Sequence, residues 1–296
     1  MSPRTLGSFW REAWALQGSI TPHIWPQVIG YGLFAAAVWL AAEILEHKYQ
    51  IQLALEVPPY EIAGALLGTM LVIRTNAGYD RWWQARGHWG GIVNQCRNLV
   101  ITSLAYGPAD SGWRQNLVGW TSVFPWVARS HLRGQVAGAE VANLVGPDET
   151  ARIDRAEHMP SFVAGKLADL LREAREQGMD SFAFMLADRE RGLLIDHIGA
   201  CEKILKTPLP LVFSIQIRRF LVVFFLTVPF ALLHKMESDW LMPFITMMVV
   251  YPLIALEQIG VELQNPFATS NMSHLPLDDI CRTIGNNLAG IQATEK

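Results

Sequence analysis

Apolar residues gather in four runs, and the stretches between them differ sharply in length and polarity. The first run, Val28 to Leu45, is about eighteen residues long with one late charge, Glu43, close to the ~20 residues that cross ~30 Å of hydrocarbon as a helix. Trp25 and Tyr49 flank it, where amphipathic rings sit at the headgroup level. The second run, Ile62 to Ile73, is short, and Arg74 and the polar stretch Thr75 to Arg81 follow at once. A run of that length fits a core helix or a segment shielded by protein better than a lipid-facing span, as expected of a helix that lines a pore. Gly64 and Gly68 within it form a small-xxx-small pair, which suits either close approach of another membrane helix or ordinary packing within the subunit. The third run, Phe220 to Leu233, follows Arg218 and Arg219 and contains Pro229; the fourth, Trp240 to Leu256, contains Pro243 and Pro252. Neighbouring helices can re-satisfy the carbonyls that such prolines free. The short polar turn His234 to Asp239 makes the last two runs a helical hairpin.

Four spans put both termini on one side of the membrane. The short connections between spans one and two and between three and four carry only Lys48 and Lys235, whereas Arg4, Arg11, Arg74, Arg81, Arg86, Arg97, Lys203, Lys206, Arg218, Arg219 and Arg282 fall on the other side. Basic residues in short loops mark the cytoplasmic face, so the termini and the long middle region are expected there, in the cell (inner) membrane of a multi-pass protein. The middle region has no strand-like alternation. Phe162, Leu167, Leu170 and Leu171, and again Leu186, Leu193, Leu194 and Ile198, recur at helical spacing among charged residues, the pattern of helices with one buried face. Helix breaks are expected at Gly107-Pro108, Gly146-Pro147 and Thr207-Pro208-Leu209-Pro210. No internal repeat or low-complexity tract is present.

Composition supports a lipid environment. Of 296 residues 51% are hydrophobic and 17% charged, and the mean hydropathy is +0.19, whereas a soluble domain carries about a quarter charged residues. A net charge of −3 and a pI near 6.2 argue against a nucleic-acid partner, which needs a basic surface. Cys96, Cys201 and Cys281 are odd in number and far apart, fitting buried thiols rather than disulfides or a metal set. Met1 to Ile20 has no continuous apolar run, so no signal peptide is expected.

No catalytic residue or cofactor is indicated, because the chain lacks a phosphate-binding glycine loop, G-x-S-x-G, H-E-x-x-H and paired C-x-x-C. Its eight histidines never recur at i, i+4 on an expected helix face, so no metal site is expected. Asp278 and Asp279 follow Pro276, where carboxylates meet the positive end of a helix dipole; a ligand role is the alternative.

The segment Ile73-Arg74-Thr75-Asn76-Ala77-Gly78-Tyr79-Asp80-Arg81-Trp82-Trp83-Gln84-Ala85-Arg86 resembles the R-x-N-x-x-Y-x-R-[FW]-x-x-A-R stretch of the bestrophins. Gly18-Ser19, Pro210-Leu211-Val212-Phe213, Asn265-Pro266-Phe267 and Leu275-Pro276-Leu277-Asp278 match in the right order, so the resemblance spans nearly the whole chain. It implies an all-α membrane protein with four transmembrane helices per subunit plus a cytoplasmic helical domain, assembled as a homopentamer around one pore. The segments are then 1–27 (cytoplasmic), 28–75 (helices one and two), 76–209 (cytoplasmic helical domain), 210–258 (helices three and four) and 259–296 (cytoplasmic). Carried over by position, Ala65, Thr69 and Ile73 line the neck and Leu209 forms the cytoplasmic aperture. Asn76, Tyr79, Arg81, Trp82, Arg86, Asn265, Pro266 and Phe267 are the family motif.

Two departures follow. Ala65 and Thr69 are smaller or more polar than the usual family neck rings, which implies a wider or wetter neck. The segment Ala268 to His274 after N-P-F holds no carboxylate, whereas hard calcium needs several. The function implied is passive conduction of small monovalent ions, with anions (chloride) as the default. A cation channel is the alternative, because Glu61 lies four residues before Ala65 and a pentamer would set five carboxylates near the outer mouth, although Glu61 equally suits the positive end of the helix dipole. A membrane-anchored scaffold or enzyme is the alternative from another class.

Overall fold

The structure, a computed structural model, describes residues 10–11, 13–16, 18–52, 54–233 and 239–294. Arg4 and the turn residues His234 to Ser238, Lys235 among them, lie outside the described residues. Ten α-helices are described: α1 Thr21–Tyr49, α2 Pro58–Tyr106, α3 Ser111–Arg133, α4 Ala139–Val145, α5 Pro147–Arg155, α6 Met159–Glu176, α7 Ser181–Lys206, α8 Leu211–Leu232, α9 Met242–Glu262 and α10 Leu277–Thr294, with a 3₁₀ turn at Asp239–Leu241. No strand occurs among the described residues. The three expected breaks end α2, α4 and α7, as loss of a backbone N–H at proline and the freedom of glycine require.

Two compact units form, one from residues 1–80 and 209–264, the other from 81–208 and 265–296. In the first, α1, α8 and α9 pack together around Ile24, Val28, Ile217, Leu221, Phe225 and Val250, joined by Leu67 and Leu71 of α2. A Cβ on Gly32 would stand 2.7 Å from the Met247 side chain, so glycine is what lets α1 lie this close to α9. Gly64 faces Phe224 at ordinary contact distance, and a Cβ on Gly68 would meet nothing within 4 Å; Gly64 thus packs within the subunit. Helices α1 and α8, together with Asp239–Glu262, are long and apolar enough to cross a membrane. The start of α2 is not among them, because its apolar run is short. Pro229 and Pro252 lie inside α8 and α9 without ending them.

The second unit buries one stripe from most of its helices, whereas α3 is buried all round from Thr121 to Ser130. Ala85, Trp89, Ile92, Cys96 and Leu99 of α2 meet Leu117, Phe124 and Val127 of α3, Leu167 and Leu171 of α6, Leu194 and Ile198 of α7, and Leu277, Cys281, Ile284 and Leu288 of α10. Each fully buried leucine of this kind contributes roughly 1.5–3 kcal/mol. Leu186 departs from the expected pattern and is exposed. Asp110 caps α3 by accepting from Trp113 N at 2.6 Å, and Asp180 caps α7 through Phe182 N and Ala183 N. The three cysteines are free and buried. Burial pushes the Cys201 and Cys281 thiols up to about 12 and Cys96 higher still, so they are inert packing groups.

His88 of α2 and His197 of α7 meet in this unit with Nδ1 atoms 3.3 Å apart. A Cβ at residue 91 would overlap the His197 ring, so only glycine admits the pair. Burial lowers both imidazoles below the ordinary 6.5, and for His197 the charge of His88 adds to the effect while Asp196 opposes it. A histidine whose folded pKa is depressed takes up protons more readily unfolded, so its stabilisation is complete above about 6.5 and is lost as pH falls below it. The thermal midpoint of the solubilised protein should therefore fall between about pH 6.5 and 5, and His88→Asn should flatten that slope. An equal slope in parent and variant would remove the pair from the account.

Candidate functional site

Helix α2 has two unlike faces within the first unit. Leu67, Leu71, Arg74 and Gly78 are buried, and their spacing of three or four residues marks one helix face. On the other side Glu61, Ala65, Thr69, Ile73, Asn76 and Asp80 are all exposed, with Ile73 at 55% and the adjacent Val72 at 48%. The exposed stripe is therefore apolar or small from Ala65 to Ile73 and polar from Asn76 onward. A solvated helix would reverse that arrangement. Thr69 Oγ1 donates to Ala65 O at 2.9 Å, so its hydrogen is turned back to the helix. Glu61 is exposed in the first turn of α2, where a carboxylate meets the positive end of the helix dipole.

The buried face is held by charge. Arg74, only 1% exposed, donates from Nη1 to Glu257 Oε1 of α9 at 2.9 Å, and Arg218 of α8 donates from Nε to the same oxygen at 2.7 Å. Thr75 Oγ1 donates to Leu256 O at 3.3 Å, and a Cβ on Gly260 would stand 3.4 Å from the Arg74 stem. One carboxylate thus ties three helices together immediately after Ile73. The sequence signal for Glu257 is its place just past the end of the fourth apolar run. Ionisable groups at such depth occur paired, and Arg74 and Arg218 flank the second and third runs.

In the second unit the motif residues act on chain ends. Arg81 donates to Thr207 O at 2.6 Å and to Ile204 O, so its guanidinium satisfies carbonyls at the C-terminus of α7 that have no helical partner. Leu209, the first residue of the chain's return to the first unit, is half-buried and lies between Pro208 and Pro210 in the sequence. Trp82 Nε1 donates to Ser273 O at 2.7 Å and Trp82 stacks on Trp83. Asn265 Oδ1 accepts from Phe267 N at 3.1 Å, a turn that seats Pro266 and Phe267 in the interior. Arg86 is exposed, as are Asn76 and Tyr79 in the first unit.

The loop after Phe267 uses its own oxygens. Asn265 O accepts from Asn271, Pro266 O from Leu275 N, and Ser273 O from Trp82. Asp278 is gripped by Arg129 at 2.5 Å and Arg133 at 2.8 Å, one on each oxygen. Burial alone would raise this carboxyl, but the two arginines outweigh it and hold it below its ordinary value. Asp278 is thus an arginine partner rather than a free ligand. Micromolar calcium is accordingly expected to leave current and thermal midpoint unchanged; a steep calcium dependence of either would reveal a site built elsewhere.

A helical membrane protein with an unpartnered stripe on one helix and a separate helical unit is the class these features define. The sequence matches the family described as Bacterial/Fungal Bestrophin protein over residues 1–290. The chain belongs to the bestrophin family. It is 29% identical to a voltage-dependent anion channel-forming protein of Nostoc over 93% of this chain and 89% of that one. It is 26% identical to a protein of the same description from Escherichia coli K12 over 93% and 88%. A bacterial bestrophin homolog from Klebsiella pneumoniae superposes with a TM-score of 0.82 at 24% identity, covering 91% of this chain and 98% of that one, which establishes the shared fold.

Proposed function

We propose that the chain is a subunit of an anion channel of the cell membrane, with α2 lining the pore in a homopentamer of four-span subunits whose termini are cytoplasmic. The observation that carries this reading is the apolar exposed stripe Ala65, Thr69 and Ile73 opposite a packed, charge-clamped face. Such a stripe calls for a wall that repeats about an axis, since closed rings are how identical subunits enclose a channel. Ile73, the bulkiest of the three, is the main hydrophobic barrier, because apolar constrictions gate by excluding water. Leu209, fixed between two prolines, is a second constriction.

Small monovalent anions, chloride first, are the proposed cargo, in keeping with relatives named as anion channel-forming proteins. The position of Glu61 on the exposed stripe favours a cation channel as the second reading. Reconstituted liposomes loaded with chloride should release it when the protein is present, and native mass spectrometry should count five chains. A monomer without flux would instead leave a membrane-anchored scaffold or enzyme. Glu61→Gln shifts ion preference further toward anions if the carboxylate ring acts on passing ions, and changes nothing if Glu61 serves only the helix end.

A further inference from the structure

Three groups that the channel reading leaves unused converge in the second unit, from the last turn of α3, the N-cap of α6 and the C-terminal part of α7. His131 Nε2 and His158 Nε2 lie 2.8 and 2.5 Å from the same oxygen, Glu202 Oε1. The two rings cross edge to face with centroids 4.5 Å apart, and the three ligand atoms all lie within 4.8 Å of one another. The side chains are 17 to 32% exposed, so the cluster is shielded yet open to entry. Lys206 Nζ holds the other oxygen, Oε2, at 3.2 Å, and at 69% exposure it is free to swing away. Burial opposes ionisation of Glu202, but hydrogen bonds from His158, His131 and Lys206 outweigh it and hold the carboxyl at about 2. It is a carboxylate at neutral pH.

We propose that His131, His158 and Glu202 bind a borderline divalent transition metal of the zinc type, with solvent in the fourth position. Two imidazole nitrogens and one carboxylate oxygen form a donor set that zinc accepts at about 2.0–2.2 Å in tetrahedral geometry. Ligands at that distance stand about 3.3 Å apart, so each histidine needs to retreat from Glu202 by less than ~1 Å while the ligand atoms, now within 4.8 Å of one another, draw together to that spacing. Calcium and magnesium, which take oxygen ligands, are excluded by the two imidazoles.

The tautomer sets the strength of binding. His158 Nδ1 accepts the backbone N–H of Ser161 at 3.1 Å, so its neutral ring carries the proton on Nε2 and donates it to Glu202. A metal at Nε2 requires that proton to move to Nδ1, which gives up the cap. The contact is exposed, so water takes over the Ser161 N–H. Binding is therefore weaker than at a dedicated structural zinc site.

The test uses the full-length protein in detergent, stripped with a chelator and titrated calorimetrically with zinc in excess magnesium. One zinc per chain should bind, and cobalt in its place should show the visible absorption of tetrahedral coordination. His131→Asn and Glu202→Gln should each weaken zinc at least tenfold, while the exposed His23→Asn should not. Absence of saturable binding, or unchanged affinity in the first two variants, overturns the site and leaves a purely structural imidazole–carboxylate cluster. If those variants do not fold, anomalous scattering at the zinc edge from zinc-soaked crystals of the parent decides. A peak bonded to both Nε2 atoms and Glu202 supports the site; peaks only elsewhere overturn it.

Discussion

Glu257→Ala should destabilise the membrane unit by about 3–5 kcal/mol, the usual cost of removing one partner of a buried ion pair. Arg74 is the reason. At 1% exposure its guanidinium would be left in the interior without the carboxylate that now accepts from it at 2.9 Å, and water cannot reach it. Arg218 loses the same partner, but at 57% exposure it is rehydrated and adds little. Native domains are stable by only about 5–15 kcal/mol, so the solubilised variant should lose on the order of ten degrees of thermal midpoint or fail to remain monodisperse. The double variant Arg74→Met, Glu257→Leu should recover much of the loss, because apolar residues of similar volume often replace a buried pair at little cost. A parent-like midpoint in Glu257→Ala would mean that the pair does not hold α2 in place.

Ile73→Ala should raise single-channel current severalfold and weaken any gating. In the proposed homopentamer each deletion is repeated five times, so removing a small volume from one side chain would open the passage by a large fraction of its width. Ile73 is the bulky apolar member of the exposed stripe, and widening an apolar constriction admits water, the condition for ion passage. Ala65→Phe should act the other way and reduce current by adding a ring of aromatic bulk. The pair of variants separates a pore-lining role from a packing role, since a side chain facing lipid would leave conductance unaltered in both. Parent-like currents from Ile73→Ala and Ala65→Phe together would remove α2 from the pore wall.

The helical class and the helix ends were legible because glycine and proline act locally: the breaks at Gly107, Gly146 and Pro208 need no tertiary information. The course of α2 was less so. Its apolar run stops at Ile73, yet the helix continues through Thr75 to Arg81 as far as Tyr106, because polarity does not end a helix and the isolated Gly78 is tolerated. Leu186 fits the helical period of α7 yet is exposed, since periodicity gives the spacing of a face but not its width. Glu257 was hidden for another reason: hydropathy defines where an apolar run stops, not which charge beyond it turns inward. The imidazole cluster escapes any search by spacing, because its members come from three helices and the histidines lie 71 and 44 residues from Glu202 in the chain.

Ion selectivity is the central claim, and the reversal potential of the purified protein in planar bilayers under a potassium chloride gradient tests it most directly. A ring of Glu61 carboxylates would favour cations, whereas the relatives are named as anion channel-forming proteins, so the sign is informative. The account predicts a reversal potential displaced toward the chloride equilibrium potential. Displacement toward the potassium equilibrium potential, or no current at all, would contradict it.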